Sequence, residues 1–340
     1  MKRIQLGNTV FEGRNDVYLF GDDSGRTTLV DTGVASPEVR EQLQDGLAEY
    51  GVSFGDVDAI LLTHWHHDHA GLAGEIQDES GATVYVHEDD APMVAEDGMN
   101  HETEIEERDL FARWGVPDEK AHELLDFLGL HDQIQGRSPE IETFADGATF
   151  DLGNVELEAV HLPGHAAGLS GFALTDGDDR ELLSGDALLP KYTPNVGGAD
   201  PRVEDPLGTY LDSLDRIIES DYARAWPGHR DPIDDPTERA REIAAHHRER
   251  TERVLSVLRE RGEADAWTVS ADLFGELSNI HIMHGPGEAW AHLDHLDRHG
   301  VAERTDEGYA LLDEDPDLDA MFEYGGENAE ATGPSAATED

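Results

Sequence analysis

The sequence predicts an α/β fold: a layered sandwich over residues 1–235, then a small helical unit closed by a hairpin over 236–318. Three observations carry this. Strand-like and helix-like stretches alternate up to about residue 230, as in sheets covered by helices. The residues with distinctive chemistry fall just after strands, on loops held by the sheets. From Pro236 the alternation stops, and helices followed by a hairpin take over.

The elements follow in order. The first 33 residues read as short alternating strands, and VYLFGDDSGRTTLVDTG is a hairpin turning at Asp22–Gly25. Ser36 is an N-cap with Pro37 in the first turn, and its helix runs to about Gly51. Asp58–Thr63 is a continuous apolar strand of the kind buried on both faces. A histidine-rich loop, a helix from Leu72 and a strand over Ala82–His87 come next. Residues 102–130 read as an irregular helical insertion near the site. Thr149–His161 holds strands separated by Gly153, and Gly171–Ala187 gives two more around Asp176-Gly177-Asp178. Leu207–Glu219 is an amphipathic helix and Tyr222–Trp226 a strand.

Beyond Pro236, Thr237–Arg261 is one long helix with Ala240, Ile243, Ala244, His247, Val254 and Leu258 as its apolar stripe. A helix near Val269–Leu277 follows, and a third starts at Pro286 and stops at Gly300. Val301–Leu312 is a hairpin around Asp306–Gly308. Three helices and a wing make a winged-helix pattern. Residues 319–340 are acidic and low in complexity, and are expected to be disordered.

Composition narrows the class. There are 76 Asp and Glu against 24 Lys and Arg, a net charge of -52, and the only lysines are Lys2, Lys120 and Lys191. Apolar runs such as Ala59–Leu62 persist throughout, so this is a folded chain and not an acidic disordered one. Carboxylates spread over the whole chain fit a halophilic protein, because the Debye length is only roughly 3 Å at 1 M salt. Cysteine is absent, so any metal must be held by His, Asp or Glu. The opening MKRIQLGNTVFEG has no apolar core of a signal peptide and no run reaches membrane-spanning length, so a cytoplasmic, soluble protein is expected. Surface acidity argues against nucleic acid or an anionic membrane as partner.

The chemistry concentrates in THWHHDHAG, Thr63–Gly71. His64 and His66 are two apart at a strand end, so their imidazoles point to one side. Asp68 and His69 follow where the chain turns into a helix, and can serve a second metal. His67 is expected to point away. Three later strand ends each add one donor beside a glycine: His165 in LPGH, Asp186 in SGD and His229 in WPGH. His64, His66 and His165 make one site; Asp68, His69 and His229 make another. Asp186 is the natural bridge, since a carboxylate spans two metals about 3.5–4 Å apart.

These motifs, THWHHDHAG, HLPGHAAG, SGDAL and WPGH in this order, together with LVDTG, resemble those of the metallo-β-lactamase superfamily over residues 3–235. The resemblance implies an αββα sandwich with a dinuclear metal site of the glyoxalase II type. It implies His64, His66, Asp68, His69, His165, Asp186 and His229 as ligands, and Asp31 as a support of the metal loop. It implies two Zn2+, with Mn2+ or Fe2+ as alternatives. The absence of cysteine departs from β-lactamases with a cysteine ligand, and His66 stands where flavodiiron proteins have Glu.

The expected function is that of a metal-dependent hydrolase. A hydroxide at the dinuclear site, oriented by Asp68, attacks a small-molecule ester, thioester or lactone. Lys191, Tyr192 and Asn195, just after Asp186, are candidate substrate contacts. The alternatives are a phosphodiesterase or RNA endonuclease with the same site, and a metabolite-sensing winged-helix regulator. Glu288, Asp294 and Asp297 on the third helix disfavour DNA reading, so a lid or homodimer contact is expected of the C-terminal unit.

Overall fold

The computed structural model describes residues 1–7, 13–21, 25–95, 109–131, 136–177 and 179–322, with side chains at 128–131 left aside. The hairpin turn at Asp22–Gly25, residues 102–108 of the insertion and the tail beyond 322 lie wholly or largely outside them.

The first sheet has six strands in sequence order: β1 (Lys2–Leu6), β2 (Asn15–Phe20), β3 (Thr28–Val30), β4 (Ala59–Leu61), β5 (Thr83–His87) and β6 (Ile141–Phe144). β1 to β3 are antiparallel, and β3 to β6 are parallel. The second sheet runs β11 (Arg224–Pro227), β10 (Asp179–Gly185), β9 (Ser170–Asp176), β8 (Glu156–His161) and β7 (Thr149–Asp151).

The sheets pack face to face. Tyr18, Phe20, Val30 and Leu61 of the first meet Leu157, Phe172, Leu174 and Leu183 of the second. Helices cover the two outer faces. α1 (Pro37–Ala48) and α2 (Ala73–Ser80) lie on the first sheet, and α3 (Pro206–Ser220) on the second. α1 forms where Ser36 Oγ accepts from the Val39 N–H at 3.2 Å and Pro37 presets the first turn. Val39, Leu43 and Leu47 then recur on its buried face, each worth roughly 1.5–3 kcal/mol on burial. Leu43→Ala would cost about 2–5 kcal/mol.

The C-terminal part comprises α4 (Pro236–Arg261), β12 (Glu263–Ala264), α5 (Ala266–Phe274), α6 (His281–Arg298), and the hairpin β13 (Ala302–Arg304) and β14 (Tyr309–Leu311). β12 pairs with β14, so the hairpin is one side of a three-stranded sheet. Asp235 caps α4 and Asp265 caps α5. The core of this unit takes in Leu110, Phe111, Trp114, Val116 and Leu124, so the insertion packs here.

Two expectations need correction, and two strands lie beyond those expected. α6 starts at His281, not at Pro286, which lies inside the helix. Proline at the sixth position removes one donor, and two neighbouring glycines let the helix press against the loop before α3. Residues 318–321 are helical and Phe322 is buried, so ordered structure continues past 318. Finally, β6 and β12 add strands that the sequence pattern does not announce; IETF and EA are too short to show a period.

Candidate metal centre

β3, β4, β8, β10 and β11 end at one edge of the sandwich, and each delivers a donor or its support within a few residues. His64, His66, Asp68 and His69 follow β4. His165 follows β8, Asp186 follows β10 and His229 follows β11. The structure brings all seven together. His64, Asp68, His69, His165, Asp186 and His229 are buried, and His66 is half-buried. His64 Nε2 and His165 Nε2 lie 2.9 and 3.0 Å from His66 Nδ1. His229 Nε2 lies 3.3 Å from Asp68 Oδ2 and 3.4 Å from Asp186 Oδ2. His69 Nε2 is 3.6 Å from Asp186 Oδ1, and His165 Nε2 is 3.8 Å from Asp186 Oδ2. Asp186 therefore touches both halves of the cluster.

The far nitrogen of each imidazole fixes its tautomer. His165 Nδ1 donates to the Asn195 carbonyl at 2.8 Å, and His66 Nε2 to the Ala199 carbonyl at 3.1 Å. The Thr63 hydroxyl donates to Asp31, so its lone pair takes the His64 Nδ1–H at 3.1 Å. His69 Nδ1 donates to Asp31 Oδ2 at 2.9 Å, and His229 Nδ1 to the Gly13 carbonyl at 3.3 Å. In the neutral imidazoles every inward nitrogen is then a lone pair. Five lone pairs and two carboxylates face one another out of water. His69 Nε2, His229 Nε2 and Asp186 Oδ1 have no hydrogen-bond partner among the described residues. Such an arrangement calls for positive charge, and the His/Asp donor set fits divalent metal.

The electrostatics agree. Burial pushes His64 down, and pushes His66 down to about 3, so both are neutral at ordinary pH, as metal donors need to be. Burial also opposes charge on His229, but Asp186 and Asp68 outweigh it and push the imidazole up to about 10. The two carboxylates demand positive charge there. A divalent metal bound there would supply it in place of the proton. Burial likewise works against the Asp186 carboxylate, and His229 and His69 still hold it well below the usual range.

Asp31 sits with φ of 62°, an uncommon conformation that aspartate tolerates better than most residues. There its carboxylate accepts from the Thr63 N–H at 2.8 Å and from His69, joining the metal loop to β3. Gly228 has no room for a side chain: a Cβ would meet Asp186 Oδ1 at 2.5 Å. His67 belongs to none of the donor groups among the described residues. Lys191 and Tyr192 are exposed, and the tyrosine ring lies 5.2 Å from Lys191 Nζ and 4.8 Å from the Arg230 guanidinium. The Asn195 side chain instead donates to the His284 carbonyl and Glu288, both at 3.0 Å.

Several supporting residues are not legible in the sequence. Asn15 Nδ2 donates to Asp68 Oδ2 at 3.1 Å. Asp90 and Asp200, both buried, share Arg202 at 2.9 and 2.5 Å. Asp90 accepts from the Trp65 and Gly168 N–H groups, and Asp200 from Trp65 Nε1 and the Ala167 N–H. This triad ties the His64–His66 loop to the His165 loop. In a chain with 76 acids, no local signal marks these two.

A helix–sheet–sheet–helix sandwich with this donor set at one edge defines a class of metal-dependent hydrolase. The family model of the metallo-beta-lactamase superfamily matches residues 10–229, and the chain belongs to that superfamily. It is 29% identical over 289 residues to a probable metallo-hydrolase, YqjP, of Bacillus subtilis, covering 83% of this chain and 87% of that one. Its structure is similar to the crystal structure of a metallo-beta-lactamase family protein from Thermus thermophilus. There the TM-score is 0.77 at 31% identity, over 92% of this chain and 97% of that one. An atrochrysone carboxyl ACP thioesterase of Aspergillus chevalieri is 25% identical over 285 residues, covering 82% of this chain and 72% of that protein. No helix among the described residues is long and apolar enough to cross a membrane.

Proposed function

We propose that this chain is a cytoplasmic dinuclear zinc hydrolase that cleaves small acyl substrates, with thioesters first and oxygen esters and lactones behind them. The observation that carries it is the ring of inward lone pairs shared through Asp186. Residues 1–235 are the catalytic unit in this reading, and 236–318 a winged-helix unit docked on it. His64, His66 and His165 would hold one ion and Asp68, His69 and His229 the other, with Asp186 within reach of both groups. Bound there, the ions supply Lewis acidity that lowers the pKa of water and polarises the substrate carbonyl. The chain's own groups do the rest. Asp68, steadied by Asn15, orients the attacking water and takes its proton. The water oxygen bonds to the acyl carbon, the carbon–sulfur bond breaks, and the proton passes from Asp68 to the departing thiolate. Lys191 and Tyr192, both exposed, would meet the leaving group. The thioesterase among the relatives supports this substrate class over the others.

Nucleic-acid readings are weaker. The arginines of α4 are largely consumed within the chain: Arg248 on Asp319, Arg250 on Glu288, Arg259 on Glu252 and Arg261 on Asp272. Glu288, His292, Leu293 and Leu296 of α6 are buried, which leaves this helix little surface to read a groove. The test is metal content and turnover on protein purified in high salt, where the acidic surface is screened. Near two zinc per chain, with thioester hydrolysis lost on chelation and restored by zinc, is expected. Hydrolysis unchanged by removal of all metal would overturn the proposal.

A further inference from the structure

The loop over residues 195–199 supports two metal-site imidazoles at their far nitrogens. The Asn195 carbonyl holds His165, and the Ala199 carbonyl holds His66. That loop is in turn gripped by α6 of the C-terminal unit. Asn195 Nδ2 donates to the His284 carbonyl and to Glu288 Oε2. The Val196 N–H also donates to the Glu288 carboxylate. The backbones touch alongside: a Cβ on Gly287 would fall 2.2 Å from the Gly198 Cα. Glu288 is itself 5% exposed and paired with Arg250 of α4. A buried carboxylate with a dedicated guanidinium is costly to build, and its second oxygen is spent on this one loop.

We propose that Glu288 is a positioning residue for His165: it holds the 195–199 loop from the C-terminal unit, so that metal affinity at His64, His66 and His165 depends on docked α6. The inference rests on the dinuclear reading above and extends it. Glu288 touches neither metal nor substrate. It acts through Asn195, whose carbonyl aims the His165 lone pair. Supports of this kind change metal affinity by about 10–100-fold when removed. The C-terminal unit is then a structural part of the metal centre.

The test titrates the metal-free full chain with Cd2+ in high salt, followed by cadmium NMR. His165→Ala identifies the signal of the three-histidine site. Glu288→Ala is expected to weaken that site by about 10–100-fold and the Asp68 site by less than about threefold. Asn195→Ala deletes the loop's side-chain bonds to α6 without touching the Arg250 pair, and carries the test if Glu288→Ala does not fold. It is expected to weaken the same site by about tenfold. Leu293→Ala, in the core of the C-terminal unit and remote from the loop, should lower Tm while leaving both sites intact. Two bound ions with Glu288→Ala and Asn195→Ala unchanged would overturn the inference alone. So would equal losses at both sites, or an equal loss in Leu293→Ala. A wild-type chain that binds no Cd2+ would overturn the dinuclear reading and this inference together.

Discussion

Among the described residues, two buried places gather histidine beside carboxylate. One is the edge of the sandwich, with His64, His66, Asp68, His69, His165, Asp186 and His229. The other lies where α4 meets α6, with His247, Glu288 and His292. By residue type both could hold a metal. Their wiring differs. At the sandwich edge each imidazole gives its far N–H away, and the near lone pairs converge with no cation among the described side chains. Between α4 and α6 the cation is already present: Arg250 pairs with Glu288. Thr251 Oγ1 bonds His292 Nδ1 at 2.7 Å, and His292 Nε2 lies 3.4 Å from His247 Nδ1. Burial pushes both imidazoles down, so they are neutral neighbours linked through Thr251, with His247 Nε2 left without a partner among the described residues. Ligand type alone does not make a metal site. An unbalanced set of lone pairs and negative charge does.

The largest effect is expected from Asp186→Ala. Asp186 belongs to both halves of the first cluster, so its loss is expected to lower metal content from about two per chain to about one or fewer. Hydrolysis should fall by about 10²–10³-fold or more. Elemental analysis of folded protein checks the first, and a thioester assay the second. Two ions retained in the variant would mean that the cluster does not share its charge through Asp186.

The two clusters also differ in how far the sequence exposes them. His64 to His69 are packed within one short loop, and the remaining candidate donors each follow a strand beside a glycine, so the sequence alone proposes the cluster that the structure brings together. The alternating elements likewise give the layers of the sandwich. Asp90, Asp200, Arg202 and Asn15 are not visible, because each acts through a partner far away in the chain. From sequence, Glu288 reads as a charge on a reading helix. It is buried, since the helix begins five residues before Pro286 and is nearly enclosed. Proline at a helix start is a good rule, but it fails where glycines and close packing let the helix run through it.

A smaller effect is expected from Arg250→Ala, and it has a defined pH dependence. Burial pushes Glu288 up from 4.5, with Arg250 pulling the other way. The folded value lies above the unfolded one. The stability tied to that proton is therefore fully present below the unfolded value and is lost as pH rises through the folded value. Without Arg250 the folded value moves further up. The variant should lose about 3–5 kcal/mol at pH 8, where a carboxylate would be left unpaired, and clearly less at pH 5. Denaturant unfolding at the two pH values, in high salt, measures this. An equal loss at both would show that Arg250 acts by packing and not by charge.

His247→Ala should have the smallest effect and sharpens the contrast most directly. Its ring packs on His292 and Tyr210, and its Nε2 is buried without a partner among the described residues. Removing the side chain opens a cavity but also removes that unpaired atom, so the net cost is expected to be about 1–3 kcal/mol. Metal content should stay near two, because the α4–α6 network has its own cation and needs no other. A wild type with three ions and a His247→Ala variant with two would show that Arg250 yields to a metal. The distinction between a balanced and an unbalanced cluster would then fail. Unchanged metal content with a modest fall in Tm would leave charge balance as what separates the two.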